Sequence, residues 1–130
     1  MNIFGIGTDI INIKRVEKNI KKNGKIFKKR IFSNKEILYC EKKIRPSEHF
    51  AKRYAAKEAL SKALGTGIRN GINFKDIEII NDTLGKPKIN LKGSTASFLK
   101  KKIKKKKYFI YLSLSDDKPW AQATVLITYK

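Results

Sequence analysis

The stretch that most constrains the fold is "FAKRYAAKEALSKALGTGIRNG", residues 50–71, which predicts one helix running into a glycine-rich stop. At 100° per residue, Ala51 and Tyr54 fall on one side of this helix. Leu60 and Leu64 point to the opposite side. A helix that is apolar all round has to be covered by other elements on several sides. We therefore expect it to lie at the centre of the fold.

Helix and strand patterns alternate along the rest of the chain. A short apolar run ending at Asp9 predicts a first strand, and Asn12 can cap a helix that closes at Asn23-Gly24. The segment "SNKE", residues 33–36, is a capping box for a second helix through about Lys43. Further strands are predicted at 76–80, 86–91, 108–114 and 120–129, with a helix opening at Gly93-Ser94. This order predicts an α+β fold over residues 1–130, a single domain with a small antiparallel sheet packed against helices.

The last predicted strand has two different faces. One face carries Ala121, Ala123, Val125, Ile127 and Tyr129, which can pack on the helices. The other carries Trp120, Gln122, Thr124, Leu126 and Thr128. This second face is unusual for plain solvent exposure and fits a wet interface around a symmetry axis. The alternative is a monomer with one half-exposed sheet face.

Several broad classes are excluded by composition. A length of 130 residues favours one domain, and no run of about 18 apolar residues predicts a membrane span. The first ten residues lack the basic segment of a secretory signal. The single cysteine, Cys40, cannot form an internal disulfide, which fits a reducing cytosol. We therefore expect a cytoplasmic protein without a membrane anchor.

The net charge of +20 arises from 31 basic and 11 acidic residues. Such a charge favours polyanionic partners, but only five of the basic residues are arginine, the residue that nucleic-acid sites prefer. Most of the charge is therefore better explained by the lysine-rich composition of proteins from AT-rich genomes. The run "KKKIKKKK", residues 100–107, is interpreted as a solvated helix end, with a polyanion contact as the alternative.

Glu58 is the only acidic residue of the predicted central helix. Glu58 and Lys62 have the i, i+4 spacing of a surface ion pair, which is worth about 0.3–0.5 kcal/mol. A site beside bound phosphates is favoured instead by three glycine-containing segments, because glycine lets a backbone approach phosphates closely. These segments are "GIG" before Asp9, "GTG" at the helix end and "NDTLGKP". Two carboxylates from separate elements are also what Mg²⁺ typically takes from a protein when phosphates and water complete its shell.

Three motifs resemble those of the holo-[acyl-carrier-protein] synthase family, the small bacterial type of 4′-phosphopantetheinyl transferase. They are "GIGTDI", "FAKRYAAKEALSKALGTGI" and "DIEIINDTLGKPKI", and the match runs nearly end to end. The resemblance implies a compact α+β subunit in a homotrimer with active sites between subunits. It also implies a role in fatty acid and lipid metabolism. The implied reaction moves the phosphopantetheine arm of coenzyme A to a serine of acyl carrier protein, releasing adenosine 3′,5′-bisphosphate.

The resemblance also implies roles for individual residues. Asp9 and Glu58 match the metal-binding carboxylates, and Lys62 matches a phosphate-facing lysine. The nucleotide pocket is matched by Arg53, Gly85, Lys86 and Pro87. Mg²⁺ and coenzyme A are therefore the expected cofactor and substrate.

One position departs from the family pattern. Many members carry a histidine after the "S-x-S" of the penultimate strand, whereas this chain has Asp116 there. Asp116 could accept the serine proton directly, act through a metal-bound water, or play no part in proton transfer. The only histidine, His49, is expected to precede the central helix and to be structural or incidental.

The acidic carrier protein offers an explanation for part of the basic charge. In the family, the first helix and its exit dock the carrier, and here they offer Lys14, Arg15, Lys18, Lys21, Lys22, Lys25 and Lys28. The alternative is that all seven are solvated bystanders. A nucleic-acid-binding module remains a second hypothesis from charge alone, but zinc-ligand spacing, RNP-like aromatic strands and a glycine-rich RNA clamp are all missing. We therefore expect no nucleic-acid partner.

Overall fold

Two antiparallel sheets pack around the third of four helices in the computed structural model, which describes all residues, 1–130. The helices are α1 (Ile13–Ile31), α2 (Asn34–Glu41), α3 (Pro46–Ala63) and α4 (Gly93–Lys102). The strands are β1 (Asn2–Asn12), β2 (Ile77–Asn81), β3 (Pro87–Leu91), β4 (Tyr108–Asp117) and β5 (Trp120–Tyr129). One sheet has the strand order β1-β5-β4, and β2 and β3 form a separate hairpin. The predicted α+β fold is confirmed.

Helix α3 is the centre of the molecule. It packs against β1, β5, α1 and α2, and ten of its 18 residues are buried. On β1, Gly5 and Gly7 lie directly on the helix backbone: a Cβ on either would come within 1.9 Å of the carbonyl oxygen of Ala63 or Ala59. The absence of side chains at these two positions is therefore what allows β1 to lie this close to α3. The predicted central position of this helix is confirmed.

The three-stranded sheet has one buried face and one open face. The face toward α3 includes Ala121, Ala123, Val125 and Ile127 of β5, all fully buried, as the alternation predicts. The opposite face leaves large apolar side chains between 48% and 71% exposed, namely Ile3, Ile6, Ile10, Tyr111 and Trp120. An apolar surface of this kind is typical of an interaction site.

Two predicted helix boundaries are wrong, and strands β1 and β4 each run three residues past their predicted ends at Asp9 and Leu114. Helix α1 does not end at Asn23-Gly24: Asn23 leaves helical geometry (φ −139°, ψ 45°), and the helix resumes to Ile31. Continuation is favoured because Phe27 and Ile31 pack against the core. His49 lies inside α3 rather than before it, because Pro46 occupies the first turn, where a proline needs no amide donor.

The predicted helix starts are confirmed by their caps. Asn12 accepts a hydrogen bond from the Lys14 amide at 2.9 Å, and Ser33 and Glu36 form the reciprocal capping box. The end of α4 is also as expected: the lysines of residues 100–107 are exposed, and only Ile103 is buried. Across the whole chain, no helix combines the length and hydropathy that crossing a membrane requires.

Candidate active site

Asp9 and Lys62 meet where the end of β1 crosses α3. Alternate residues of a strand share a face, so Asp9 follows Gly5 and Gly7 on the side toward the helix. The ammonium of Lys62 lies 3.1 Å from Asp9 Oδ1 and donates to the carbonyl oxygen of Thr8 at 3.0 Å. The ion pair suggested by the i, i+4 spacing, between Glu58 and Lys62, does not form.

Asp9 and Glu58 line the same small cavity between β1, α1 and α3. Its volume is about 200 Å³, and its lining includes Arg15, Asn19 and Tyr54. Burial raises the pKa of Glu58, and the nearby charge of Asp9 raises it further, while a hydrogen bond from Tyr54 and the charge of Lys62 oppose the rise. Burial, together with Glu58, raises the pKa of Tyr54 to about 12, so its hydroxyl stays a donor at neutral pH.

The two carboxylates fit a hard divalent cation. Asp9 and Glu58 come from different elements and open onto one cavity, and the charge of Asp9 adds to the burial that raises the pKa of Glu58. The chain has no group of three or more His, Cys, Asp and Glu side chains arranged around a common point. A cation here would therefore take two protein ligands and complete its shell with substrate oxygens and water, as Mg²⁺ commonly does.

The four residues matched to the nucleotide pocket lie outside this cavity. Arg53 is only 2% exposed, with its guanidinium 4.1 Å above the Tyr39 ring. It donates to Asn81 Oδ1 at 2.8 Å, and the Asn81 amide donates to the Gly85 carbonyl at 3.0 Å. Arg53 therefore reaches the turn of the β2–β3 hairpin, which also carries Lys86 and Pro87, through Asn81.

Glycine is required at Gly85 for the shape of this turn. Its φ of +85° lies in the region that L side chains rarely adopt. Lys86, the next residue, is exposed, so its ammonium is available to a ligand.

Asp116 is not brought to Asp9 and Glu58 within one chain. It lies near the end of β4, opposite Ala121 of β5, and its carboxylate is 3.3 Å from the Lys52 ammonium. Asp9 pairs with Ala123 on the other side of β5. His49 is half-buried against Tyr39, and burial lowers its pKa below the usual value.

The basic side chains of α1 are mostly free. Lys14, Arg15, Lys18 and Lys22 are exposed and form no salt bridge. Two others do have acidic partners: Lys21 pairs with Glu17 at 3.4 Å, and Lys28 with Glu41 at 2.8 Å. Helix α1 therefore presents a basic surface along its length, since Lys25, Lys29 and Arg30 are also exposed and form no salt bridge.

One feature beside the site was missed by the sequence analysis. Lys57, next to Glu58 in the chain, is fully buried and forms a 2.8 Å ion pair with Glu36, which is also fully buried. A lysine on a helix that is apolar all round was the available signal. Cys40 is buried as well, and burial raises the pKa of its thiol to about 12, which agrees with a residue without reactive chemistry.

The chain is similar to known proteins over nearly its whole length. Residues 5–124 match the 4′-phosphopantetheinyl transferase superfamily. The holo-[acyl-carrier-protein] synthase of Zymomonas mobilis is 50% identical over 128 residues, with 96% of each chain covered. The chain therefore belongs to the holo-[acyl-carrier-protein] synthase family of transferases, as the three motifs indicated.

Solved structures agree with this assignment. The holo-[acyl-carrier-protein] synthase of Neisseria meningitidis superposes with a TM-score of 0.87 at 38% identity, covering 97% of this chain and 98% of the other. The Helicobacter pylori enzyme, solved in complex with coenzyme A, superposes with a TM-score of 0.81 at 34% identity, covering 95% and 99%.

Proposed function

We propose that the chain transfers 4′-phosphopantetheine from coenzyme A to a serine of apo-acyl carrier protein, in a magnesium-dependent reaction that releases adenosine 3′,5′-bisphosphate. The observation that carries this proposal is the placement of Asp9 and Glu58 on one cavity, with Lys62 on the Asp9 carboxylate. Coenzyme A bound to the Helicobacter pylori relative supports the choice of donor. Residues 1–130 act as one transferase domain.

Asp9 and Glu58 are the residues that would hold Mg²⁺. When bound, the ion supplies charge neutralisation on the pyrophosphate of coenzyme A. Lys62 would donate to the same phosphate oxygens from its place beside the Asp9 carboxylate. Arg53, Gly85, Lys86 and Pro87 hold the nucleotide half of coenzyme A, Arg53 acting on the turn through Asn81.

The transfer step exchanges one phosphorus–oxygen bond for another. The serine hydroxyl of the carrier attacks the phosphorus attached to pantetheine, and the bond to adenosine 3′,5′-bisphosphate breaks with its electron pair going to that leaving group. The serine proton passes to a base. Asp116 of the partner subunit is the candidate acceptor, directly or through a water, because the Asp116 of the same chain does not line the Asp9–Glu58 cavity.

We infer a homotrimer, and the open face of the sheet supports an assembly of this kind. Ile6, Ile10 and Trp120 are among the apolar side chains left exposed there, and burial of such a surface would stabilise assembly. In the proposed trimer, each site combines Asp9, Glu58 and Lys62 of one subunit with Asp116, near the end of β4, of its neighbour.

The acidic carrier docks on the exposed bases of α1. Lys14, Arg15, Lys18 and Lys22 have no acidic partner within the chain, and Arg15 also lines the Asp9–Glu58 cavity. A carrier bound on this helix would therefore place its serine near the two carboxylates. We assign the protein to fatty acid biosynthesis in the cytoplasm.

The test is mass spectrometry of apo-acyl carrier protein incubated with coenzyme A, Mg²⁺ and this chain. The expected result is a gain of one phosphopantetheine on the carrier, dependent on all three additions. No gain, combined with tight binding of DNA or RNA by the same preparation, would replace this proposal with the nucleic-acid module.

A further inference from the structure

Two buried cations, one helical turn apart on α3, hold the β2–β3 hairpin. Arg53 and Lys57 are spaced i, i+4, so they project from the same side of the helix. Both are buried. Arg53 donates directly to Asn81 of β2, and Lys57 reaches β2 through Glu36.

The first connection runs from Lys57 through Glu36 to β2. Lys57 donates to Glu36 Oε1 and to the Phe74 carbonyl, both at 2.8 Å. The other carboxylate oxygen, Glu36 Oε2, accepts the backbone amide of Ile79 at 3.1 Å. Glu36 also closes the capping box with the Ser33 amide at 2.9 Å, so one carboxylate joins α2, α3 and β2.

The second connection runs from Arg53 through Asn81 to the turn. Asn81 accepts from Arg53 and donates to the Gly85 carbonyl, so it fixes the start of the turn against its end. This turn carries the residues assigned above to the nucleotide half of coenzyme A.

The hairpin depends on such anchors. A two-stranded hairpin is marginally stable by itself, and β2 and β3 have five residues each and no ladder to the larger sheet. A buried ion pair is a poor way to gain stability alone, because desolvation of both charges offsets most of their attraction. When the polar atoms of such a pair all have hydrogen-bond partners, however, the pair holds the elements that it joins in one geometry.

We propose that the buried Lys57–Glu36 pair and Asn81 are positioning residues that fix the β2–β3 turn relative to Glu58 and thereby set the affinity for coenzyme A. This inference rests on the proposed function for its substrate. The three side chains act on the turn without touching the nucleotide themselves.

The first test compares Lys57→Met with Ile103→Ala. Ile103 is buried at the end of α4, outside the site and the hairpin, so its truncation provides a destabilised control with an unaltered turn. For Lys57→Met we expect the KM for coenzyme A to rise about tenfold, on the scale of a lost supporting contact, with kcat and the KM for the carrier little changed. The control should change neither KM. Equal increases in both KM values, or an unchanged KM for coenzyme A in folded Lys57→Met, would overturn the proposal.

A second variant covers the case in which Lys57→Met does not fold. Asn81→Ala removes only the half-buried link between Arg53 and Gly85. Calorimetry with adenosine 3′,5′-bisphosphate should show weaker binding, and hydrogen exchange should be faster at residues 81–87 than in the wild type. Wild-type exchange in folded Asn81→Ala contradicts the positioning role whether or not the protein is a transferase. Failure of the wild type to modify the carrier contradicts the proposed function instead.

Discussion

The Lys62 ammonium lies 3.1 Å from the Asp9 carboxylate, although the two residues are 53 positions apart in the chain. The contact exists because Gly5 and Gly7 let β1 lie on the backbone of α3, which brings the next residue of that face to the helix. The Lys62 ammonium therefore offsets the negative charge of the Asp9 carboxylate before any substrate binds.

Removal of either cavity carboxylate should abolish transfer without unfolding the protein. Asp9→Ala and Glu58→Ala each delete one of two proposed Mg²⁺ ligands, and we expect kcat to fall on the order of 10²-fold or more. Mg²⁺ should also raise the Tm of the wild type but not of either variant, because only a ligand that binds the native state stabilises it. Near-normal turnover in a folded variant at low millimolar Mg²⁺ would refute the assignment.

Replacement of Glu58 by Gln should stabilise the metal-free protein at neutral pH. The pKa of Glu58 in the folded chain is raised above the ordinary 4.5. Between pH 4.5 and the folded pKa, the native state therefore holds a proton that the unfolded state has lost. The free energy of unfolding therefore falls as pH rises from about 4.5 through the folded pKa. Glu58→Gln should remove this loss. Thermal melts in EDTA at pH 4 and pH 7.5 should show a higher Tm than the wild type only at the higher pH, and equal differences at both would contradict the argument.

Salt should weaken carrier recognition more than coenzyme A recognition. Charges exposed on α1 are screened beyond about 8 Å at physiological ionic strength. The KM for the carrier should therefore rise far more steeply with NaCl than the KM for coenzyme A. Arg15→Glu with Lys22→Glu should raise the carrier KM at low salt, whereas the matched reversal Lys101→Glu with Lys105→Glu, exposed at and just beyond the end of α4, should not. An equal effect of both double reversals would mean that net charge alone guides the carrier.

The approach of β1 to α3 should tolerate no side chain at Gly7. A Cβ there would lie 1.9 Å from the Ala59 carbonyl oxygen, so Gly7→Ala has to move the strand, and Asp9 with it. We expect a lower Tm and a large loss of activity. Gly24→Ala is the control, because a Cβ there meets nothing within 4 Å and alanine favours a helix by roughly 0.5–1 kcal/mol. A Gly7→Ala protein as stable and active as the wild type would show that the two backbones can separate freely.

The sequence predicted what depends on local pattern and missed what depends on long-range placement. Capping by Asn12 and Ser33, the central helix and the buried face of β5 all follow from residue type and periodicity, and all are confirmed. The continuation of α1 past Asn23 was missed because a helix-ending signal was outweighed by the burial of Ile31. A lysine on a helix that is apolar all round was a signal for the burial of Lys57, but its partner, Glu36, comes from a different helix and could not be identified from local pattern.

Complementation between two inactive variants should reveal a site shared by subunits. Glu58→Ala removes a proposed metal ligand, and Asp116→Lys reverses the charge at the end of β4 that we assign to the neighbouring subunit's site. Asp116 lies on Lys52 and outside the Asp9–Glu58 cavity of its own chain, so in the proposed trimer the two lesions would belong to different halves of a site. In mixed trimers, some interfaces would combine two unmutated halves, and activity should return at a fraction of the wild-type level after co-expression.

The control is a mixture of Glu58→Ala with Asp9→Ala, in which both lesions fall in the same half of the site. Every subunit of these trimers has a damaged Asp9–Glu58 half, so no interface is intact and activity should not return. Mixed trimers of the first pair, verified by native mass spectrometry, that remain inactive would refute the shared site, and a fully active monomer in sedimentation would refute the trimer itself.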